Sequence, residues 1–338
     1  MKNVFYMHKI SKIGGCESFL YYLSQIYKDF VVYYKVGDPR QIERLSKNVE
    51  VHKYTKPIKC ERFFCSYGYD IEVDAKEYYH IVHYDAMGVG FTPMTNDGFK
   101  YIGVSKLACK SFEQKTGNKC ELIYNPLPLK KINAKKHKDG KIHILCATRL
   151  TSEKGGKRIQ KLASLSDNFI IDLYSNKKLL PIRKNIIQHE SKLDLTKEMA
   201  ESDFVAQLSD TESFGLTPAE SLCIGTPVIV TDLPAFKEIG CKNGENAVIC
   251  DLDMKNVDID LIKKGLPKFE YTPPKSNWGK YLKKTSDYKP NELIEVRTKK
   301  RIWDVKTDIH YKYNKVIDIP RSKASYWEAL DYVEVLYD

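Results

Sequence analysis

Residues 211–220, Thr211-Glu-Ser-Phe-Gly-Leu-Thr-Pro-Ala-Glu220, decide the fold of this chain together with Ser221-Leu-Cys-Ile-Gly-Thr-Pro-Val-Ile-Val230 after them. The apolar run Phe204-Val-Ala-Gln-Leu208 predicts a buried strand before this stretch, and Pro227-Val-Ile-Val230 predicts another strand at its end. A strand, a loop, a helix and a strand in this order are typical of an α/β domain with a parallel sheet.

The helix between these strands has recognisable ends. Thr217 followed by Pro218 predicts an N-cap with proline at the first helical position, and Gly225 predicts the C-cap. In an open parallel sheet the loop before such a helix lies at the carboxyl ends of the strands, where ligands bind. The helix N-terminus offers N–H groups and a positive dipole end to an anion. The stretch therefore predicts a site for a phosphate-bearing ligand.

Glu212 and Glu220 are separated by seven residues that include Phe214-Gly215-Leu216. This spacing resembles the E-x7-E signature of retaining glycosyltransferases of the GT-B fold. The resemblance implies that Glu212 lies by the donor sugar, that Glu220 holds the nucleotide ribose, and that backbone amides between them face the sugar and the diphosphate. The donor-binding residues that it implies are Phe214, Gly215, Leu216, Thr217 and Glu220.

A structural interpretation of Glu220 stays open beside the functional one. Thr217-Pro-Ala-Glu220 has the spacing of a capping box, in which Glu220 at the third helical position would accept from the amide of the N-cap Thr217. That interpretation leaves Glu212 and the loop of Phe214 and Gly215 unexplained.

A second segment about sixty residues earlier carries two basic residues. Lys141 to Arg149 predicts a strand, and Leu150-Thr-Ser-Glu-Lys-Gly-Gly156 leads into a helix, which resembles the family's "gRL…eKG" segment. The resemblance implies that Arg149 and Lys154 contact the donor diphosphate. A nucleoside diphosphate gains negative charge as it leaves, and fixed cationic side chains stabilise that charge without needing a metal.

Two further candidates lie in the first part of the chain. Gly14 and Gly15 follow a predicted strand and precede a helix, so the backbone could approach a ligand there, as the family's GG loop does. His83 ends the apolar run from Tyr78 and resembles the family's histidine that contacts the donor sugar; His80 is the competing candidate. We therefore count Arg149, Lys154, Glu212 and His83 as catalytic candidates, and Gly14 and Gly15 as donor-binding candidates.

Length and composition indicate a globular chain with room for two domains. It has 338 residues, of which 42% are hydrophobic and 29% charged, and no apolar run is long enough to span a bilayer. The first residues do not form a signal peptide, so we expect a cytoplasmic location, with a peripheral position at the inner membrane face as an option. The nine scattered cysteines predict reduced thiols rather than a metal cluster.

The net charge of +11 is unevenly distributed. Six lysines fall within residues 130–141, whereas residues 290–338 carry nine basic and nine acidic side chains. The basic segment could attract the phosphates of a nucleotide sugar, an anionic membrane surface or, as the weaker alternative, nucleic acid. A solvated linker without a partner is the other interpretation.

The resemblance and the apolar runs together predict the domain organisation. We expect a GT-B fold with two Rossmann-like domains facing across a cleft: an acceptor domain at 1–130 and a nucleotide-sugar-binding domain at 141–265. Prolines mark 266–290 as a linker or crossing segment. Short apolar runs in 291–338 predict a small β-rich appendage, either a stabilising cap or a docking module, with a faint resemblance to phage-encoded domains.

The function that these motifs imply is sugar transfer with retention of configuration and without a metal or cofactor. A UDP-sugar is the favoured donor, and the acceptor hydroxyl is expected on a cell-surface glycan, a lipid or a protein. Two alternatives stay open: a phage-type enzyme that acts on nucleic acid, and a catalytically inactive relative that binds a nucleotide sugar.

Overall fold

A computed structural model describes residues 2–88, 90–178 and 183–336. The chain divides into two compact units. The first consists of Met1–Val82, Met94–Ile102 and Asn277–Asp338, and the second of His83–Pro93 and Gly103–Ser276. Residues near the C-terminal end of the chain therefore belong to the same unit as the N-terminal strands.

A seven-stranded sheet begins the fold. Its strands are β1 Asn3–Ile10, β2 Phe30–Gly37, β3 Glu50–Lys53, β4 Ile58–Cys65, β5 Val73–Val82, β6 Phe99–Gly103 and β7 Cys120–Leu122. Their order is β3-β2-β1-β4-β5-β6-β7, and the pairs from β3 to β5 are parallel. The order reverses beside β1, which makes this a doubly wound sheet.

Three helices accompany this sheet: α1 Gly15–Ile26, α2 Pro39–Ser46 and α3 Lys106–Thr116. Their ends follow from local side chains. Asp38 caps α2 by accepting from Arg40 N–H, and Ser105 caps α3 by accepting from Ala108 N–H. Local side chains thus fix the first residues of α2 and α3.

Aromatic rings fill the core of the first unit. Phe5 on β1 stacks on Phe64 of β4 with ring centroids 4.6 Å apart, and Phe19 of α1 packs nearby. Trp278, which lies in a single 3-10 turn, is fully buried against these three rings. Residue 278 therefore completes a core that begins at residue 5.

The second unit contains a six-stranded sheet. Its strands are β8 Ile142–Ala147, β9 Phe169–Ser175, β10 Ile186–Glu190, β11 Phe204–Gln207, β12 Val228–Thr231 and β13 Ala247–Cys250. The order is β10-β9-β8-β11-β12-β13, and all five pairs are parallel. The helices around it are α4 Gly156–Ser164, α5 Thr196–Glu201, α6 Leu216–Ile224, α7 Pro234–Glu238 and α8 Ile259–Lys264. Both predicted strands around residues 211–220 are confirmed.

The C-terminal part is the predicted small β-rich structure. It contains β14 Leu293–Thr298, β15 Ile302–Asp304, β16 Ile309–Tyr311, β17 Val316–Pro320, α9 Arg321–Ala329 and β18 Val333–Val335. The strands form an antiparallel sheet in the order β17-β14-β18 and a separate hairpin of β15 and β16. Helix α9 packs on α2 and β3. There, Glu328 accepts from Lys53 N–H at 3.1 Å.

The nine cysteines all lie within the described residues. None of them forms a disulfide there, and eight are buried. Burial raises the pKa of the Cys65 and Cys241 thiols to about 12, so these side chains stay protonated.

Candidate active site at the edge of the second sheet

The strand order of the second unit determines where its ligand crevice lies. β8 and β11 are neighbours at the point where the order of the strands reverses. The loops that leave their carboxyl ends diverge to opposite sides, which opens a crevice in doubly wound folds. Arg149 and Lys154 follow β8, and Glu212 follows β11, so three of the catalytic candidates lie on the two loops that border this crevice.

Lys154 and Glu212 form an ion pair. The Lys154 Nζ atom lies 2.7 Å from Glu212 Oε1, and each side chain is 16% exposed. The same carboxylate oxygen accepts from Ser209 Oγ at 2.8 Å and from Gln207 Nε2 at 3.2 Å. Glu212 is therefore held in one orientation by three donors from two loops.

Gln207 and Ser209 are site residues that the sequence reasoning missed. Gln207 is the last residue of β11, and both side chains are buried. Their hydrogen bond to each other, at 2.6 Å, links them into one group around Glu212. The available signal was a polar residue at the end of a buried apolar strand with a second one just after it, because buried polar side chains need partners.

Arg149 lies on the loop after β8 and is exposed. The next residue, Leu150, has a positive φ of 47°, so the loop turns sharply here. The hydroxyl of Thr151 donates to Glu153, and with the charges of Lys154 and Arg149 it holds the pKa of that carboxyl below its usual value. The Arg149 guanidinium thus stands at the rim of the crevice, open to an anionic ligand.

A close backbone contact connects the two loops. Gly155 has a φ of +75°, and a Cβ atom there would lie 1.9 Å from the carbonyl oxygen of Leu208. Arg158 Nε donates to the same carbonyl oxygen at 2.8 Å, and Asp210 N–H donates to Glu153 O at 2.8 Å. A glycine at 155 is therefore required for Lys154 and Glu212 to meet.

The helix after the Glu212 loop begins earlier than predicted. Its N-cap is Gly215, with a φ of +84°, and no side chain caps it. A Cβ atom at Gly215 would lie 2.7 Å from Phe236 Cε1, so only glycine fits between the loop and that ring. Phe214 is buried, with its ring 6.3 Å from that of Tyr124. The buried Phe214 side chain thus anchors the Glu212 loop to the core.

The predicted N-cap at Thr217 and the capping box with Glu220 are therefore wrong. Helix α6 starts at Leu216, which makes Thr217 its second residue, Pro218 its third and Glu220 its fifth. Pro218 has no N–H group, so its place in the first turn costs no hydrogen bond. Gly225 is confirmed as the C-cap, with a φ of +94°. Glu220 is half-exposed and, as the fifth helical residue, does not occupy the third position that a capping box requires.

His83 lies beside the Glu212 loop through its backbone. It directly follows β5, is half-buried, and its carbonyl oxygen accepts from Ser213 Oγ at 2.7 Å. A Cβ atom at Gly88, in the turn after His83, would lie 3.3 Å from Thr211 Oγ1. The competing His80 is buried within β5, and burial lowers its pKa to about 4, so it is a neutral core residue.

Gly14 and Gly15 belong to the first unit. Gly14 is the N-cap of α1, and Gly15 is the first residue of that helix. A Cβ atom at Gly14 would lie 2.2 Å from Glu17 Oε2, and the other oxygen of that carboxylate accepts from Ser11 N–H at 2.7 Å. The lack of a side chain at Gly14 thus lets the Glu17 carboxylate fold back over the start of its own helix.

The described residues contain neither a metal-binding cluster nor a membrane-spanning helix. Among residues 2–88, 90–178 and 183–336, no group of three or more His, Cys, Asp or Glu side chains has a geometry that could hold a metal ion. In the same part of the chain, no helix has the length and apolar character needed to cross a bilayer.

Comparison with known proteins agrees with the geometry. Residues 129–284, a little under half of the chain, match the family model "Glycosyl transferases group 1". No curated protein sequence gives a significant match.

Solved structures share the fold. Alr3699/HepE of Anabaena, in complex with UDP and glucose, matches with a TM-score of 0.61 at 15% identity, covering 78% of this chain and 89% of that one. A glycosyltransferase of Rickettsia africae ESF-5 gives 0.56 at 13% identity, covering 78% and 88%. WaaG, a glycosyltransferase involved in lipopolysaccharide biosynthesis, gives 0.52 at 13% identity, covering 78% and 89%. The predicted GT-B fold is confirmed.

Proposed function

We propose that this chain transfers a sugar from a UDP-sugar to an acceptor hydroxyl, with retention of configuration. The observation that carries the proposal is the Lys154–Glu212 pair at the point where the strand order reverses, within a glycosyltransferase group 1 domain. A nucleotide donor is the class of ligand that this position of a doubly wound sheet accommodates. UDP is chosen because Alr3699/HepE, of the same fold, is described with UDP and with UDP-glucose.

In this proposal Lys154 and Arg149 stabilise the diphosphate. An ammonium group has three N–H donors, and Glu212 takes one of them, so two remain for phosphate oxygens. The exposed guanidinium of Arg149 supplies a planar pair of donors that suits a second phosphate. Both charges strengthen their attraction as the leaving group becomes more negative, which lowers the barrier to bond cleavage.

The Glu212 loop and helix α6 would hold the rest of the donor. Glu212, fixed by Ser209 and Gln207, would accept from a sugar hydroxyl with its free oxygen, Oε2. The N–H groups of Leu216 and Thr217 in the first turn of α6 have no acceptor inside the helix and suit the phosphate. Glu220, one turn further along, would bind the ribose. Gly14, Gly15 and His83 complete the proposed donor-binding set.

The proposed reaction requires no metal ion for its bond changes or its proton transfer. The acceptor oxygen forms a bond to the anomeric carbon while the bond from that carbon to the UDP oxygen breaks, on the same face of the sugar. The proton of the acceptor hydroxyl passes to the departing phosphate oxygen. The protein contributes position and positive charge, from Arg149 and Lys154, to this step. Because WaaG acts in lipopolysaccharide biosynthesis, we propose a glycan or glycolipid acceptor.

The test is a donor screen followed by a search for the acceptor. The purified chain is incubated with UDP-glucose, UDP-galactose, UDP-N-acetylglucosamine and GDP-mannose, and release of the nucleoside diphosphate is measured. We expect slow hydrolysis of one UDP-sugar, and mass spectrometry of glycan and lipid fractions then identifies the acceptor. Binding of UDP without hydrolysis or transfer in any fraction would instead indicate a catalytically inactive relative.

A further inference from the structure

The hairpin of β15 and β16 has one buried face and one open face. On the buried face, Ile302 is 5% exposed, and Tyr311 makes an edge-to-face contact with Trp327 of α9. On the open face, Trp303 and His310 lie directly opposite each other in the strand register, and their rings stack with planes 4° apart. Arg301 and Val305 directly flank β15, Lys312 directly follows β16, and all three are exposed.

Large apolar side chains are concentrated on and around this hairpin. Trp303 is 58% exposed and Val305 is 73% exposed, and neither packs into the core cluster of the C-terminal part. The neighbouring exposed apolar residues are Ile309, Tyr313 and Val316. Single exposed apolar residues are ordinary, but five of them within residues 303–316 form a local concentration of the kind that marks an interaction surface.

Positive charge surrounds the same group. Residues 297–315 contain seven basic side chains and two acidic ones. Asp304 is buried and bonded to Lys323, and Asp308 accepts from Trp303 Nε1 at 3.0 Å. Although burial would raise it, the bonds from Lys323 and Thr307 hold the pKa of Asp304 below its usual value. Both acids therefore already have partners within the fold.

Three of the basic residues are available to a partner. Within the part of the chain that the structure describes, no ion pair involves Arg301, Lys312 or Lys315, and all three are exposed. Residues 290–338 are neutral in total, but their basic side chains are concentrated in the part of the sequence that contains the hairpin.

We propose that this hairpin surface, formed by Arg301, Trp303, Val305, His310, Lys312 and their exposed neighbours, docks on an anionic lipid bilayer. Tryptophan and tyrosine rings favour the boundary between headgroups and acyl chains, and valine and isoleucine enter its apolar side. Lysine and arginine around them meet the negative headgroups. This surface can make both the apolar and the electrostatic contact, because its aromatic and aliphatic side chains lie next to basic ones.

Nucleic acid fits this surface less well. Single strands are bound by stacking of bases on aromatic rings, and one face of Trp303 is already covered by His310. Val305 and Ile309 have no planar surface to offer a base, whereas a bilayer takes aliphatic side chains directly. The exposed aliphatic groups are therefore the feature that selects lipid.

The lysine-rich segment at 130–141 is a poorer candidate for the same role. Lys131 pairs with Glu270 at 3.0 Å, Lys136 donates to the carbonyl oxygen of Ser202, and Lys141 donates to that of Asp167 at 3.4 Å. These ammonium groups already have partners inside the second unit, and large exposed apolar side chains do not accompany them beyond Ile132. The segment lacks the apolar component that a bilayer contact needs.

The experiment is co-sedimentation of the full chain with phosphatidylcholine vesicles, with and without phosphatidylglycerol. We expect binding only to the anionic vesicles, and weaker binding as salt screens the charges. The variant Arg301→Ala, Lys312→Ala, Lys315→Ala should bind about a hundredfold more weakly, at about fivefold for each cation removed. The matched control, Lys59→Ala, Lys76→Ala, Lys197→Ala, loses the same charge from exposed positions elsewhere and should bind as the unchanged chain does.

Tryptophan fluorescence gives a second measurement that reports on the hairpin itself. Of the three tryptophans, Trp278 and Trp327 are buried and only Trp303 is exposed. Anionic vesicles should therefore shift the emission to shorter wavelength, and Trp303→Phe should abolish the shift while most of the binding remains. A binding chain whose spectrum does not move would overturn the proposal, because some other surface would then carry the contact.

Two further outcomes would also overturn it: equal binding by the triple variant and its control, or binding of a labelled single-stranded DNA with no binding of vesicles. The assay contains no nucleotide sugar, so its result is independent of the sugar-transfer proposal. Thermal unfolding of each variant confirms that the replaced side chains, which are exposed, leave the fold intact.

Discussion

The carboxylate of Glu212 lies 2.7 Å from the ammonium group of Lys154, although fifty-eight positions separate them in the chain. They come from adjacent strands, and the contact of Gly155 with Leu208 brings the two loops together. Glu212, which we propose contacts the sugar, thus forms an ion pair with Lys154, which we propose contacts the diphosphate.

The first prediction concerns positive charge at the crevice. Lys154→Ala and Arg149→Ala should each lower kcat about a hundredfold, since lost stabilisation of a developing charge is worth about 3 kcal/mol. The double variant Lys154→Ala, Glu212→Gln should lose less than the product of the single effects, because the pair acts together. Steady-state rates of nucleotide release measure all three. Lys157→Ala, which alters an exposed lysine just beyond the loop, is the control and should be unaffected.

The second prediction separates the two glutamates. Glu212→Gln should mainly lower kcat, because the residue positions the reacting sugar. Glu220→Gln should mainly weaken donor binding, measured by titration with UDP. Because Glu220 is the fifth residue of α6 and not part of a capping box, Glu220→Ala should change the melting temperature only slightly. Unchanged turnover and donor binding in all three variants would remove this loop from the proposed site.

The third prediction concerns metal ions. With Arg149 and Lys154 supplying positive charge to the leaving diphosphate, transfer should continue in excess EDTA. Rates are compared before and after chelation, and after addition of Mg²⁺ or Mn²⁺. A strict requirement for either ion would contradict the assignment of the two basic residues.

The fourth prediction tests the close backbone contact. Gly155→Ala combines a left-handed backbone with a clash against Leu208 O, so we expect it to lower the free energy of unfolding by well over 1 kcal/mol and to abolish turnover. Gly140 has a similar φ of +73° but open space around it, so Gly140→Ala isolates the backbone cost. Equal stability of the two variants by denaturant unfolding would show that the contact is unimportant.

The fifth prediction concerns pH. His143 on β8 lies 3.2 Å from Asp172 and 3.0 Å from Asp139; although burial would lower its pKa, these hydrogen bonds hold the pKa above the usual value. A raised pKa in the folded state adds stability that is complete below the unfolded value of about 6.5 and is lost as pH rises through the folded value. The melting temperature should therefore fall as the pH rises above about 6.5. His143→Gln should flatten this dependence, and an unaltered slope would contradict the assignment.

Patterns of buried apolar residues explain how much of the fold could be predicted. The strands around residues 211–220 are short, apolar runs, and all five pairs of that sheet are parallel as expected. Strand β4 was missed because Lys59, Glu61 and Arg62 interrupt its apolar pattern, although Arg62 is satisfied by Glu77 on β5. The charged side chain of Arg62 fits in β4 because Glu77 of the neighbouring strand pairs with it, and the sequence of β4 alone does not show this partner.

The candidate site shows the same division. Arg149, Lys154 and Glu212 could be predicted because they are charged residues in segments that resemble the family's motifs. The orientation of Glu212 could not, because it depends on hydrogen bonds from Ser209 and Gln207 that only the three-dimensional structure shows. The start of α6 was predicted too late because proline commonly occupies the first helical position, and Pro218 was taken for that residue. Here the close approach of Phe236 makes Gly215 the cap, two residues before the expected one.

The burial of Trp278 against Phe5, Phe19 and Phe64 has a consequence for synthesis on the ribosome. The second unit is almost continuous in sequence, so it can fold as soon as its strands have emerged, whereas the first unit must wait for residues beyond 276. The N-terminal strands are made first and are completed last. During that interval their aromatic core lacks the indole ring of Trp278, so the growing chain exposes apolar surface that is covered only after residue 278 has been made.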